Sequence, residues 1–168
     1  IRLSQNKTKI ESIGNVGYID VSDGGFPSPG SPGNPFRLED GLELGQYYMK
    51  KHAGIDENGQ FLVYDKNGEV IEATKSGNDD KRFLGNAIPK LYLSWDHTLT
   101  YRNWDMSLYF RSHLNFDVFN MADMYYGLPP KTTGENVLTK AFSPERENIK
   151  GEKELSDFWL EDGSFLKL

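Results

Sequence analysis

The chain contains no cysteine, which excludes a disulfide framework and thiol catalysis but assigns no compartment. It has no run of about 18 apolar residues, so no transmembrane helix is expected. Basic residues are in the minority. Nineteen Lys and Arg against 25 Asp and Glu leave a net charge of −6, whereas a nucleic-acid binder would normally present a basic stripe; no nucleic-acid partner is expected. The opening IRLSQNKTKI lacks the apolar core of a signal peptide. The expectation is therefore an exported protein already matured, or an internal piece of a longer one.

Catalytic constellations are missing as well. There is no GxSxG elbow and no phosphate-binding glycine loop, and nothing selects a pair of carboxylates for glycosidase chemistry. No enzyme activity and no cofactor are expected. His52, His97 and His113 lie far apart with no HxH or HxxxH spacing, so no metal site is expected. Asp56-Glu57-Asn58-Gly59 and Asp65-Lys66-Asn67-Gly68 superficially look like calcium loops. They lack the EF-hand ligand spacing and its terminal Glu, and turn chemistry explains both. Asp79-Asp80 beside Lys81-Arg82 reads as a solvated charge cluster.

What the chain does have is glycine, proline and aromatic rings: 17 Gly, 8 Pro and 13% Phe, Trp and Tyr, a composition of turns and strands. Ile1–Ile13 alternates weakly and predicts a strand. Asp23–Pro35, rich in Gly, Pro and Ser, must be a loop, because proline cannot donate to a ladder. A strand is predicted around Gly45–Lys51. Gln60–Tyr64 and Glu69–Ala73 flank Asn67-Gly68, a strong hairpin signal. Asp117–Gly127 approaches helical spacing and predicts a short helix or an irregular loop. Leu128–Glu154 reads as a long polar segment. Ser164–Leu168 reads as the start of another strand, and the strands at both chain ends are expected to lack partners, as in a fragment.

The strongest pattern is LYLSWDHTLTYRNWDMSLYFRS, Leu91–Ser112. Leu91, Leu93, Trp95, Leu99 and Tyr101 share one face, interrupted only by His97. After Arg102-Asn103 the face continues through Trp104, Met106, Leu108 and Phe110. Because strand side chains alternate with period 2, Tyr92, Ser94, Asp96, Thr98 and Thr100 share the other face with Asp105, Ser107, Tyr109 and Arg111. Alternation alone suits a membrane barrel, which needs about 9–11 residues per strand. It suits equally the half-buried sheet of a soluble β-sandwich, for instance a secreted all-β carbohydrate-binding module with aromatics as a stacking platform. Connection lengths favour the barrel: a two-residue turn at one end and connections of some thirty residues at the other.

Three motifs carry a family resemblance. They are Gly85-Asn86-Ala87-Ile88-Pro89-Lys90, Tyr101-Arg102-Asn103-Trp104-Asp105 with Asp117-Val118-Phe119-Asn120, and Glu161-Asp162-Gly163-Ser164-Phe165-Leu166-Lys167-Leu168. In this order they resemble the late-barrel region of the SusC/RagA family of TonB-linked outer-membrane transporters of Bacteroidota, with Gly41–Tyr64 more loosely similar. The resemblance implies an all-β fold: antiparallel strands forming part of a large transmembrane β-barrel. Residues 53–81 and 121–156 would be extracellular loops and Arg102-Asn103 would be periplasmic. A complete family member resembles a 22-stranded barrel around a plug, neither of which this chain could supply. The implied partners are a SusD-like surface lipoprotein, the rest of the barrel and plug, TonB acting through a missing N-terminal part, outer-membrane lipid, and a glycan or peptide ligand.

Two residue sets are candidates for function. Tyr92, Ser94, Asp96, Thr98, Thr100, Asp105, Ser107, Tyr109 and Arg111 would face the lumen or plug. Tyr47, Tyr48, Tyr125, Tyr126 and Trp159 lie in predicted loops or strand ends, where aromatic rings can stack on sugars or anchor peptides.

Overall fold

The structure, a computed structural model, describes residues 1–21, 33–131, 134 and 136–168. All of the predicted loop Asp23–Pro35 except 33–35 lies outside them. In chain order the strands are β1 (Arg2–Gln5), β2 (Tyr18–Asp20), β3 (Arg37–Glu39), β4 (Gln46–Ile55), β5 (Phe61–Tyr64), β6 (Val70–Glu72), β7 (Lys81–Asn86), β8 (Leu91–Tyr101), β9 (Trp104–Leu114) and β10 (Asp117–Phe119). Helix α1 (Met121–Tyr126), β11 (Leu160–Asp162), β12 (Phe165–Lys167) and four short 3-10 turns complete the described elements. The fold is all-β apart from α1 and the 3-10 turns, and the strands pair antiparallel.

Two four-stranded sheets dominate, a wall in the order β1-β8-β9-β12 and a second sheet in the order β6-β5-β4-β7. The wall is built on the predicted hairpin. β8 and β9 are each 11 residues long and stay in register from Leu91↔Leu114 to Tyr101↔Trp104. Arg102 takes the tight turn at a positive φ of 54°. The strands at the chain ends do not lack partners, contrary to expectation. β1 pairs with β8 and β12 pairs with β9, so each flanks the hairpin.

Towards the turn, neither face of the hairpin is packed. Residues 95–107 are all exposed, including the large apolar side chains Trp95, Leu99, Trp104 and Met106. In the soluble-sandwich reading these would form the core. The core lies instead in a body at the Leu91/Leu114 end of the wall. There Phe61, Val63, Ala73, Met124, Leu128, Ile149 and Trp159 form one buried cluster, and Tyr47, Met49 and Leu155 a second. β4 supplies the second cluster because its alternation turns Tyr47 and Met49 inward, and its Ile55 packs against the first.

The described residues of the polar segment Leu128–Glu154 include several that are packed into the body. Asn120 caps α1, its Oδ1 accepting from the Asp123 N–H at 2.8 Å. One turn inside that cap, the buried Asp123 carboxylate accepts from Arg146 at 2.7 and 2.9 Å, and Lys140 lies 2.8 Å away. This clamp draws Ala141 and Ile149 into the body. The Asp56 turn holds the segment from the other side, with the Gly59 carbonyl accepting from both Lys150 and Gly151 N–H, each at 2.9 Å. As expected, both Asp-Gly turns are closed by their own carboxylates, Asp56 accepting from Asn58 and Gln60 and Asp65 from Asn67 and Glu69.

His52 is the titratable weak point of the body. Its ring packs 4.8 Å from Phe158, and its Nδ1 is buried without a partner. Burial lowers its pKa, with the Asp157 carboxylate opposing. The unfolded chain takes up a proton near pH 6.5 and the folded chain only at lower pH. Stability is therefore full above about pH 6.5 and is lost as pH falls through the depressed folded value. His52→Phe is expected to flatten the melting temperature of the body against pH between about 7 and 5. A slope that survives the substitution would assign it to other groups.

Candidate functional site: the wall face and its joint

Directly opposed residues in an antiparallel ladder point to the same side of the sheet, so the register defines both faces of the wall. One carries Leu3, Leu93, Trp95, Leu99, Tyr101, Trp104, Met106, Leu108 and Phe110, with His97 opposite Leu108. On the other face Ser94 lies opposite Arg111, Asp96 opposite Tyr109, Thr98 opposite Ser107 and Thr100 opposite Asp105. Thus the nine residues expected on one polar face are brought together there, with Tyr92 opposite His113. Tyr101 and Trp104 sit beside the turn on the apolar face.

The motif residues meet in space at the joint between wall and body. Gly85 has a φ of 58°, and a β-carbon there would lie 2.5 Å from Asp117 Oδ2. Glycine is needed because the Asp117 carboxylate presses against that α-carbon to accept from the Asn86 N–H at 2.9 Å. Asn86 is itself buried, donating to the Leu44 carbonyl and accepting from the Ile88 N–H. A β-carbon at Gly163 would collide with the Phe116 ring, and the Gly163 N–H donates to the Phe116 carbonyl at 2.9 Å. Ser164 Oγ accepts from the Asn115 N–H, and Asn120 Nδ2 donates to Glu161. Widely separated motifs thus fasten one junction. An open polar cavity of about 470 Å³ borders it, lined by Glu43, Asn86, Lys90, Asp117, Asp162 and Ser164 among others.

No protein-family model matches the chain. Individual proteins do. Over 192 residues it is 28% identical to TonB-dependent receptor P26 of Formosa agariphila, covering 100% of this chain and 19% of the relative. It is 24% identical to TonB-dependent receptor P3 of the same organism, covering 98% of this chain and 18% of the relative. A solved chain of the RagAB peptide transporter superposes with a TM-score of 0.68 at 15% identity, over 99% of this chain and 19% of that one. The same importer in its open-open state gives a TM-score of 0.66 at 14% identity, over 95% of this chain and 18% of that one. The chain matches TonB-dependent receptors in sequence and part of a RagAB chain in fold. It spans about a fifth of the length of the curated relatives it matches.

The five aromatics proposed for ligand contact do not form one site. Trp159 is fully buried, its Nε1 donating to the Glu154 carbonyl at 2.9 Å. Tyr47 is buried too; its hydroxyl donates to the Asp117 carbonyl and accepts from the Phe119 N–H, both at 3.2 Å. Both are core residues, and neither is open to a ligand. Tyr48 packs on Phe83 and on the Arg37 guanidinium, which also lies over Tyr18 and pairs with Asp20. Tyr125 is half-buried, with Lys153 donating to its carbonyl, and Tyr126 alone is exposed. Among the described residues no three His, Asp or Glu side chains converge to hold a metal ion.

Sequence reasoning named the motif residues without their contacts, and it missed Arg2 and Lys167 on the polar wall face. Their side depends on which strands flank the hairpin, which no local pattern reports.

Proposed function

We propose that this chain is the barrel-wall and extracellular-loop portion of a TonB-dependent outer-membrane transporter that imports oligosaccharides or peptides. In this reading a SusD-like lipoprotein covers the outer face, the rest of the barrel and a plug complete the pore, and TonB supplies energy through the plug. Residues 53–81 and 121–156 form the extracellular part. The apolar face of the hairpin meets lipid, and the polar face from Tyr92 to Thr100 and Asp105 to Arg111 meets the lumen. One observation carries the proposal. The hairpin has an apolar face with no core against it, exposed over residues 95–107, while the body is packed at one end only. A soluble carbohydrate-binding module would leave that face in water, where it would drive aggregation.

Adjacent residues midway along β9 test the orientation. Leu108→Arg is expected to cost about 2–4 kcal/mol, the cost of an arginine on the lipid face at mid-bilayer, and to reduce the folded receptor recovered from the outer membrane. Ser107→Arg, on the opposite face, is expected to insert normally. The reverse ranking would show that the faces are assigned the wrong way round.

A further inference from the structure

The polar face of the wall is not evenly charged. Arg2 on β1 lies opposite Ser94 on β8, Ser94 opposite Arg111 on β9, and Arg111 opposite Lys167 on β12. Three cations therefore stand in one row across four strands, spanning about 14 Å at a strand spacing of about 4.8 Å. Like charges placed directly opposite, as in Arg111 and Lys167, destabilise a sheet. No acid occupies the row, and none of the three cations has an ion-pair partner among the described residues. In the body, by contrast, Arg37, Lys50, Lys51, Lys140 and Arg146 are all paired.

Aromatic rings bracket the row. Tyr92 and His113 lie one step towards the body, their rings 4.8 Å apart, and the exposed Tyr109 lies one step towards the turn with Asp96 opposite it. With Arg2, Ser4, Ser94 and Arg111 they line an open groove of about 330 Å³. Cations at one level with ring faces on either side suit a ligand that has flat apolar faces and carries negative charge.

We propose that this row binds the carboxylate or sulfate groups of an acidic oligosaccharide passing through the lumen. The proposal rests on the lumenal reading of this face and goes beyond it by naming the charge of the cargo. Arg111 and Arg2 supply forked donors for the acid group, Lys167 supplies a point charge, and Tyr109 offers a sugar-stacking face. With no ion-pair partner among the described residues, and with Asp96 one step away on the same face, the row takes its counter-charge from the cargo.

The test uses the full-length receptor in detergent, titrated with tetragalacturonate, its fully methyl-esterified counterpart and hexaglutamate. The acidic sugar is expected to bind about tenfold more tightly than the ester, with an affinity that falls as salt rises. Arg111→Gln combined with Lys167→Gln is expected to abolish that preference and most of the salt dependence while leaving the ester unchanged. Equal affinity for acid and ester would overturn the proposal, as when a carboxylate of another segment already neutralises the row. So would failure of the acid to bind, full discrimination by the double variant, or hexaglutamate binding more tightly than the sugar. The Ser107/Leu108 comparison reports separately on the lumenal reading. Normal insertion of Ser107→Arg beside unaltered sugar discrimination would sink the cation row alone.

Discussion

Trp159→Ala is expected to cost about 3–5 kcal/mol, the range for truncating a buried aromatic, and to loosen the body while leaving the wall paired. The indole is fully buried, 4.7 Å from Phe158 at an interplanar angle of 88° and 6.1 Å from Phe61. Truncation leaves a cavity at the centre of the larger core cluster and strips the Glu154 carbonyl of its donor. That carbonyl belongs to the residue whose carboxylate holds the buried Lys50 ammonium at 2.6 Å. The damage should therefore spread into β4. Limited proteolysis of the full-length receptor is the readout, with new cleavage in 128–155 and none in β8 or β9. Trp159→Phe, which keeps an aromatic ring but loses the hydrogen bond, should fall between the two. A protease pattern identical to the parent would show that the cluster does not depend on this ring.

Asp123→Ala is expected to destabilise the same body by about 3 kcal/mol, the lower part of the range for breaking a buried ion pair from one side. The lower part applies because the two cations differ in exposure. Arg146 keeps 18% of its side-chain surface and Lys140 keeps 39%, so water recovers part of what the carboxylate supplied. The loss is still large. Arg146 would remain close to the Gly127 carbonyl and over the Phe158 ring with its charge uncompensated. Amide hydrogen exchange should rise across 136–150, and trypsin should gain access to Arg146. Asp123→Asn, which keeps the shape and removes the charge, separates electrostatics from packing. If exchange in this segment stays at the parental rate, the clamp does not hold it.

The hairpin was legible almost to the residue because period-2 alternation over eleven residues has only one regular interpretation. The Arg102-Asn103 turn was fixed by the point where that alternation changes phase. The Asn67-Gly68 turn and the short helix at Met121–Tyr126 were visible for similar local reasons. The segment after Leu128 was not. Its buried residues Leu128, Ala141, Ile149 and Leu155 are spaced without period, and an ion pair 23 positions apart brings them inward. Tyr47 and Trp159 were misread for a related cause: an aromatic next to a loop is exposed or buried according to distant partners. The cation row follows the same rule, because Arg2 and Lys167 reach Arg111 through pairings more than 50 residues long.

The close contacts at Gly85 and Gly163 also bear on how such a receptor can change over generations. Both glycines and the Asp117 carboxylate serve the joint, and a side chain larger than hydrogen has no room at either glycine. Glu57, Lys66 and Asn67 are exposed and lie on turns whose backbone is closed by Asp56 and Asp65. Replacing them alters the outer surface without touching a hydrogen bond of the joint. In the proposed transporter, selection for a new cargo would work on those tips and on the segment beyond Leu128 rather than on the joint.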